Sequence, residues 1–322
     1  MTVLSEFSLI KQFFADMTSS RDDVLLGIGD DCALLQCPAD HVIAVSIDTL
    51  VEGVHFFTDV DPTSLGHKSL AVGLSDLAAM GAIPAWFTLA LTLPEVNETW
   101  LQGFSQGLAE LASKHNIQLV GGDTTRGPLT ISIQVHGFVE AEKALQRNGA
   151  KVGDKVYVTG SLGDAGAALR SRLDNWVDEH LNDEDMSFLQ QRLEKPTPRV
   201  ELGQQLRGIA SSAIDISDGL LADLSHITSK SGVGARLDLA KLPLSTALEK
   251  VARTTSEALA LKSGDDYELC FTVPPSHVAE LEQALAGYYT EIGVISSDDG
   301  IYTLDDDNEW IKLTGTGYDH FK

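Results

Sequence analysis

Three observations predict an α/β protein of two domains. The chain has 322 residues, enough to fold around two separate cores. Along it, apolar β-branched runs of strand length alternate with segments whose apolar residues recur at helical spacing. Near the middle, Arg147-Asn148-Gly149-Ala150-Lys151-Val152-Gly153-Asp154 is a polar, glycine-containing connector, which divides the chain into 1–148 and 149–322.

Composition narrows the function. At 43% hydrophobic and 22% charged the chain is globular. Its 23 basic residues face 47 acidic ones, a formal charge of -24, so no basic stripe exists to meet a nucleic-acid backbone. A small anionic substrate remains possible if metal ions screen the acids. No apolar run reaches membrane-spanning length, so no membrane partner is expected. The first residues lack the basic and apolar segments of a secretory signal. The three cysteines, Cys32, Cys37 and Cys270, read as small buried hydrophobes in a reducing cytoplasm.

In the first half, Glu6 to Phe14 has helical spacing, and Val24 to Leu35 reads as strand, a glycine turn carrying Asp30 and Asp31, then strand. Ala44 to Val51 is a buried strand with Asp48 towards its C-terminal end, and a carboxylate there is costly unless something positive meets it. His55 follows within a few residues; it reads equally as a substrate contact or a satisfied histidine. Leu65 to Gly81 has helical spacing, small residues that permit close packing, and Gly81 as a C-cap. Asp76 is the only charge between Ser69 and Ile83; it reads as a ligand, or as a buried acid bonded to backbone. Ala85 to Leu93 is a strand, and Thr99 is placed as N-cap of a helix to about Lys114. Ile117 to Val120 is a strand followed by Gly121, Gly122 and Asp123, where paired glycines let backbone amides approach a phosphate. Leu129 to Val135 alternates as a half-buried strand.

The second half repeats the theme. Lys155 to Thr159 is a strand leading through a glycine turn to a helix, without dinucleotide-fingerprint spacing. Asp174 to Asp185 reads as an exposed acidic helix and loop, and Pro196 and Pro198 separate two further helices. Ser212 to Ile216 is a strand leading to Ser217, Asp218 and a helix, where Asp218 can cap the helix or share its anion-attracting N-terminus. Gly264-Asp265-Asp266 echoes Gly29-Asp30-Asp31, and His277 to Ala286 is a helix. Arg147 is one of few cations near any of these motifs, and reads otherwise as a solvated linker charge.

Asp30, Asp48, Asp76, Asp123, Asp215 and Asp218 thus follow or end apolar elements, usually beside Gly, Ser or Thr. Carboxylates gathered without paired cations repel one another. Magnesium, held by a few carboxylates, waters and substrate phosphates, makes such company stable, and the histidine or cysteine clusters of a zinc site are missing. This points to phosphoryl transfer. Gly66-His67-Lys68-Ser69 resembles the end of a P-loop, but Asp61 stands where the upstream glycine belongs, and protein-kinase motifs are absent too.

Gly29-Asp30-Asp31, Ser46-Ile47-Asp48-Thr49-Leu50-Val51-Glu52-Gly53-Val54-His55-Phe56, Leu74-Ser75-Asp76-Leu77-Ala78-Ala79-Met80-Gly81, Gly121-Gly122-Asp123-Thr124, Ile214-Asp215-Ile216-Ser217-Asp218-Gly219-Leu220 and Gly317-Tyr318-Asp319-His320-Phe321 together resemble the thiamine-monophosphate kinase family. That family belongs to the aminoimidazole-ribonucleotide synthetase superfamily. The resemblance implies a two-domain α/β (α+β) fold with mixed sheets and helices packed on one face, and a homodimer joined through the first domain's sheets. It also implies transfer of the ATP γ-phosphoryl group to thiamine monophosphate, with several magnesium ions. By resemblance, Asp30, Ser46, Asp48, Asp76, Asp123, Asp215 and Asp218 are metal ligands. Gly122, Asp123, Arg147 and Ser217 contact ATP, while His55, the Asp265–Asp266 pair and Tyr318 face the thiamine substrate. The family usually has Gly-Glu-Asp where this chain has Gly264-Asp265-Asp266, which leaves open which acid makes the contact. The competing readings are a superfamily enzyme with another acceptor, such as formylglycinamidine ribonucleotide, and a non-catalytic metal-binding protein.

Overall fold

The computed structural model describes residues 5–315, apart from 177 and 306, together with Gly317. The chain divides into two compact units. One comprises residues 1–77 and 82–142, the other 143–322 and 78–81.

The first part of the chain forms α1 (Glu6–Phe13), β1 (Val24–Leu26), β2 (Leu34–Leu35), β3 (Val42–Val51), α2 (Pro62–Ala79), β4 (Ile83–Leu93), α3 (Glu98–Lys114), β5 (Gln118–Arg126) and β6 (Thr130–Val139). Four strands make a mixed sheet in the order β3-β6-β4-β5, with β4 and β5 parallel. The expectation of a buried strand at Ala44 to Val51 is corrected, because β3 is covered on one face only and its side chains alternate. Ala44, Ser46, Asp48 and Leu50 are half-buried or buried, while Val45 and Ile47 are 52% and 62% exposed on the other face.

Asp61 caps α2, its Oδ2 accepting from the N–H and Oγ–H of Ser64 at 2.8 and 3.0 Å. Gly81, at φ +64°, follows the helix end. A Cβ on Gly66 would lie 2.1 Å from the Phe104 carbonyl oxygen, and one on Gly107 would lie 1.9 Å from that of Thr63. Helices α2 and α3 therefore cross backbone against backbone, and the P-loop-like Gly66 is a packing residue inside a helix.

Two expectations are corrected here. The α3 cap is Asn97, whose Oδ1 accepts from the Trp100 N–H at 3.1 Å, not Thr99. The glycines of Gly121-Gly122-Asp123 form no turn, because β5 continues through them to Arg126. A Cβ on Gly122 would lie 1.9 Å from the Leu89 carbonyl oxygen, so a side chain there would clash with β4. The cysteines also divide: Cys270 is buried and Cys37 half-buried, but Cys32 is exposed because its loop lies on the surface.

The second part forms β7 (Lys155–Thr159), α4 (Asp164–Asp174), α5 (Asp183–Glu194), α6 (Val200–Gln205), β8 (Ser212–Ile216), α7 (Leu220–Ser231), β9 (Gly234–Leu237), α8 (Arg253–Lys262), β10 (Glu268–Val273), α9 (Val278–Leu285), β11 (Tyr289–Ser296), β12 (Ile301–Leu304) and β13 (Trp310–Lys312). Its seven-stranded sheet runs β13-β12-β9-β11-β7-β10-β8, antiparallel except for β12 with β9. Val156, Val158, Ile214, Ile216 and Cys270 of the sheet pack with Leu220, Leu224 and Ile227 of α7 and Ala260 and Leu261 of α8. A second apolar cluster joins α4, α5 and α8 through Ala165, Ala168, Leu189, Leu193 and Leu259. The acidic stretch after Asp174 is mostly loop; α5 starts at Asp183 under a reciprocal capping box of Asn182 and Asp185.

Candidate active site

In the first unit, strand period and helix packing bring three predicted residues together. Ser46 and Asp48 lie two apart on β3, so both point to the same face. On α2, a Cβ at Gly73 would lie 2.9 Å from Val135 Cγ1 and 3.6 Å from Asp48 Oδ2, so the bare glycine lets α2 pack closely on the sheet beside the Asp48 carboxylate. Three residues on, Asp76 accepts a short hydrogen bond from Ser46 Oγ–H. Asp48 Oδ2 is buried and has no hydrogen-bond partner. Burial, then the charge of Asp76 and a hydrogen bond between the two carboxyls, push Asp48 up to about 7. Two acids that cannot comfortably ionise together make a site that gains from a cation.

The other predicted residues of this unit stand apart from that cluster. Asp30 is exposed, its Oδ1 accepting from the Asp31 N–H at 2.9 Å. Asp123 is exposed on β5, in register with Ala90 and through it with Ser132 and Thr49, the row next to that of Asp48 and three strands away. Gly122 lies in register with Leu89. His55 is half-buried, and its Nδ1 accepts from the Val51 N–H at 3.0 Å, which in the neutral ring puts the proton on Nε2.

In the second unit, Asp215 is buried one residue before the end of β8, and Ser217 and Asp218 follow the strand, half-buried. Asp223 Oδ2 accepts from the backbone N–H groups of Ser217, Asp218 and Gly219 at 3.0, 3.1 and 3.1 Å. Burial and the charge of Asp218 push Asp223 up to about 7, against those three donors, which favour its ionised form. Beside this turn runs the Gly264–Tyr267 loop, whose Asp265 and Tyr267 N–H groups each donate at 2.9 Å, to Ser217 O and Ile216 O. Asp265 and Tyr267 both have positive φ, +66° and +51°, a strained backbone of the sort held at functional sites.

The structure distinguishes the two acids of that loop. Asp266 is 1% exposed and its Oδ2 accepts from the Gly163 N–H at 2.8 Å. Burial raises it well above the usual carboxylate range. Asp265 is half-buried and accepts from the Tyr267 hydroxyl at 3.0 Å. Glu268 follows, wholly buried, its carboxylate held by Arg199 at 2.5 and 2.6 Å, by Arg192 at 3.0 Å and by the Thr159 hydroxyl at 2.7 Å. Arg147 is exposed; Ser231 Oγ fixes the chain around it, donating to Arg147 O at 3.3 Å and accepting from the Gly149 and Ala150 N–H groups at 3.1 and 3.2 Å. Tyr318 lies outside the described residues. Gly317 lies against Asp218 and Ala222: a Cβ there would be 2.9 Å from Asp218 Cβ and 2.6 Å from Ala222 Cβ.

Among the described residues no group of three or more His, Cys, Asp or Glu side chains forms a ready metal cage. The donors present are carboxylate and hydroxyl oxygens, and two buried carboxylate oxygens, Asp48 Oδ2 and Asp266 Oδ1, have no hydrogen-bond partner. Such a set fits a hard cation that keeps waters and phosphate oxygens in its shell, as magnesium does.

Sequence reasoning left Asp223 and the group of Asp164, Arg192, Arg199 and Glu268 without roles. A signal for Asp223 was present: it is an acid in the stripe of Leu220, Leu224 and Ile227, the same pattern that marked Asp76. For Arg192 and Arg199 there was none, since they meet Glu268 from 76 and 69 residues away.

Comparisons with known proteins agree with one another. Residues 29–139 match the model of the AIR synthase related protein, N-terminal domain, and residues 151–305 that of its C-terminal domain. The chain is 51% identical over 320 residues to a thiamine-monophosphate kinase of Escherichia coli O157:H7, covering 98% of each chain. It is similar to the crystal structure of a thiamine-monophosphate kinase from Stenotrophomonas maltophilia K279a, at 46% identity and TM-score 0.86, covering 95% of this chain and 98% of that one. It is similar also to AaThiL complexed with AMPPCP and TMP, at 31% identity and TM-score 0.77, covering 99% and 97%.

Proposed function

The chain belongs to the AIR synthase related proteins and, within them, to the thiamine-monophosphate kinase family, and on that premise we propose that it transfers the γ-phosphoryl group of ATP in line onto thiamine monophosphate, with magnesium bound, giving thiamine diphosphate. The observation that carries this reading is the Ser46–Asp48–Asp76 cluster, with its buried, unpartnered Asp48 oxygen. A protein without a cation to place there gains nothing from that arrangement.

Asp30, Ser46, Asp48, Asp76 and Asp123 of the first unit, and Asp215 and Asp218 of the second, are the proposed magnesium ligands. Bound magnesium supplies neutralisation of charge along the phosphates. Gly122, Asp123, Arg147 and Ser217 are the proposed ATP contacts; the Arg147 guanidinium lowers repulsion between donor and acceptor anions. His55, Asp265 and Tyr318 face the acceptor. Of the acidic pair, Asp265 is preferred as the contact because Asp266 is almost wholly buried and its Oδ2 accepts from the Gly163 N–H, which suits it to holding the loop.

The nucleophile is an oxygen of the acceptor phosphate, whose second pKa of about 6 leaves it largely ionised at neutral pH. No protein base is required, and transfer is direct, without a phosphoenzyme. A homodimer is proposed through the outer face of β3, where Val45 and Ile47 present apolar surface. A cytoplasmic location is supported by three free cysteines and by the absence, among the described residues, of any helix long and apolar enough to cross a membrane.

The test is ADP release from ATP and magnesium, with and without thiamine monophosphate. Release that depends on the acceptor is the expected result. Metal binding without turnover would return the chain to a passive role, and a phospho-protein trapped in a single-turnover quench would overturn direct transfer.

A further inference from the structure

We propose that Asp223 is a positioning residue: its buried carboxylate sets the backbone of the turn that carries Ser217 and Asp218. The inference deepens the kinase reading of that segment and rests on it. Asp223 is 3% exposed, and one of its oxygens receives three successive backbone N–H groups, those of Ser217, Asp218 and Gly219. Its own N–H donates to Gly219 O at 3.0 Å, so the carboxylate and the first turn of α7 are tied to the same residue.

The turn is held from its other side as well. Its carbonyls at Ile216 and Ser217 accept from Tyr267 and Asp265, at the loop that carries the proposed substrate acid. Gly219, at φ +116°, sits where a Cβ would come within 2.9 Å of the Lys262 carbonyl group. Donors are thus collected by Asp223 and acceptors by the neighbouring loop, leaving the turn little freedom. Removing the carboxylate strands three N–H groups, one buried and two half-buried, and the turn must move to find other acceptors. Ser217 and Asp218 move with it. Asparagine keeps an oxygen in position but gives up the charge, so it should loosen the turn less than alanine does.

The experiment compares wild type, Asp223→Ala and Asp223→Asn. Amide hydrogen exchange over residues 217–219 is measured first, in metal-free and nucleotide-free protein. Expected is faster exchange in Asp223→Ala and an intermediate rate in Asp223→Asn. Steady-state turnover follows, with ATP, magnesium and thiamine monophosphate varied in turn. Half-saturating ATP and magnesium should rise by about tenfold or more in Asp223→Ala, the size seen when groups that orient metal ligands are lost. Asp223→Asn should recover part of this.

A residue that only stabilised the fold would lower the amount of active enzyme and leave half-saturation unchanged; that result, or unaltered exchange at 217–219, overturns the proposal. If Asp223→Ala does not fold, the same two comparisons on Asp223→Asn decide. Failure of wild type to turn over overturns the kinase reading instead, while the exchange rates still decide whether Asp223 holds the turn.

Discussion

Asp48 and Glu268 are both carboxylates withdrawn from water, one in each unit, and their surroundings are opposite. Glu268 accepts from two guanidinium groups and a hydroxyl. Asp48 has one buried oxygen with no partner and a second acid, Asp76, as its neighbour. The first arrangement is complete within the protein. The second gains from something positive, and the proposed role of Asp48, in contrast to Glu268, as a metal ligand rests on that difference.

The sharpest way to break this contrast is Asp48→Asn. Turnover should fall on the order of 10³-fold, as when a group that stabilises transition-state charge is lost. The melting temperature in metal-free buffer should stay the same or rise, because the substitution removes the repulsion with Asp76. A loss of folding comparable to the loss of turnover would make Asp48 a structural acid like Glu268.

Next in size is the opposite lesion, Arg199→Ala. It should cost about 3 kcal/mol of stability by denaturant unfolding, since breaking a buried ion pair leaves charge uncompensated. The kcat of the folded enzyme should fall far less than with Asp48→Asn. Equal losses in both variants would erase the distinction.

A third effect, comparable in size to the second but spread over several pH units, is on the pH dependence of stability. Asp48 is raised in the folded state from its ordinary 3.8 to about 7. Below about pH 4 both folded and unfolded chains hold this proton, so the group has no effect. Between there and about pH 7 the folded chain holds more of it, so metal-free stability should fall as pH rises, by about 2–4 kcal/mol, and level off above. Unfolding curves across that range should be flatter in Asp48→Asn or with magnesium present. An unchanged slope would mean that Asp48 bears no such strain.

Much of this was legible in the sequence for identifiable reasons. Asp76 stands out because an acid at helical spacing among Val72, Gly73, Ala79 and Met80 has no solvent-facing explanation. The β3 strand and the apolar face of α2 are local patterns, and both elements form over those stretches, although β3, expected to be buried, keeps one face exposed. What could not be read is non-local. Strands β9, β11, β12 and β13 were not anticipated: three of the four have only three or four residues, and β9, β11 and β12 are set by pairing across long stretches of chain. The different surroundings of Asp265 and Asp266 depend in part on Gly163, about a hundred residues earlier, whose N–H meets only Asp266. The cap at Asn97 in place of Thr99 shows the limit for boundaries, since both residue types serve as caps and the local backbone chooses.

The two-sidedness of β3 has one more consequence. Ser46 and Asp48 look one way, and Val45 and Ile47 look the other, purely by odd and even position. Adding or deleting a single amino acid inside the strand would exchange the two surfaces downstream of the change, turning acids to the solvent and valine or isoleucine towards α2. The swap would bury more of the strand's apolar side chains while turning the proposed metal ligands away from α2, so fold and proposed chemistry ask opposite things of this stretch.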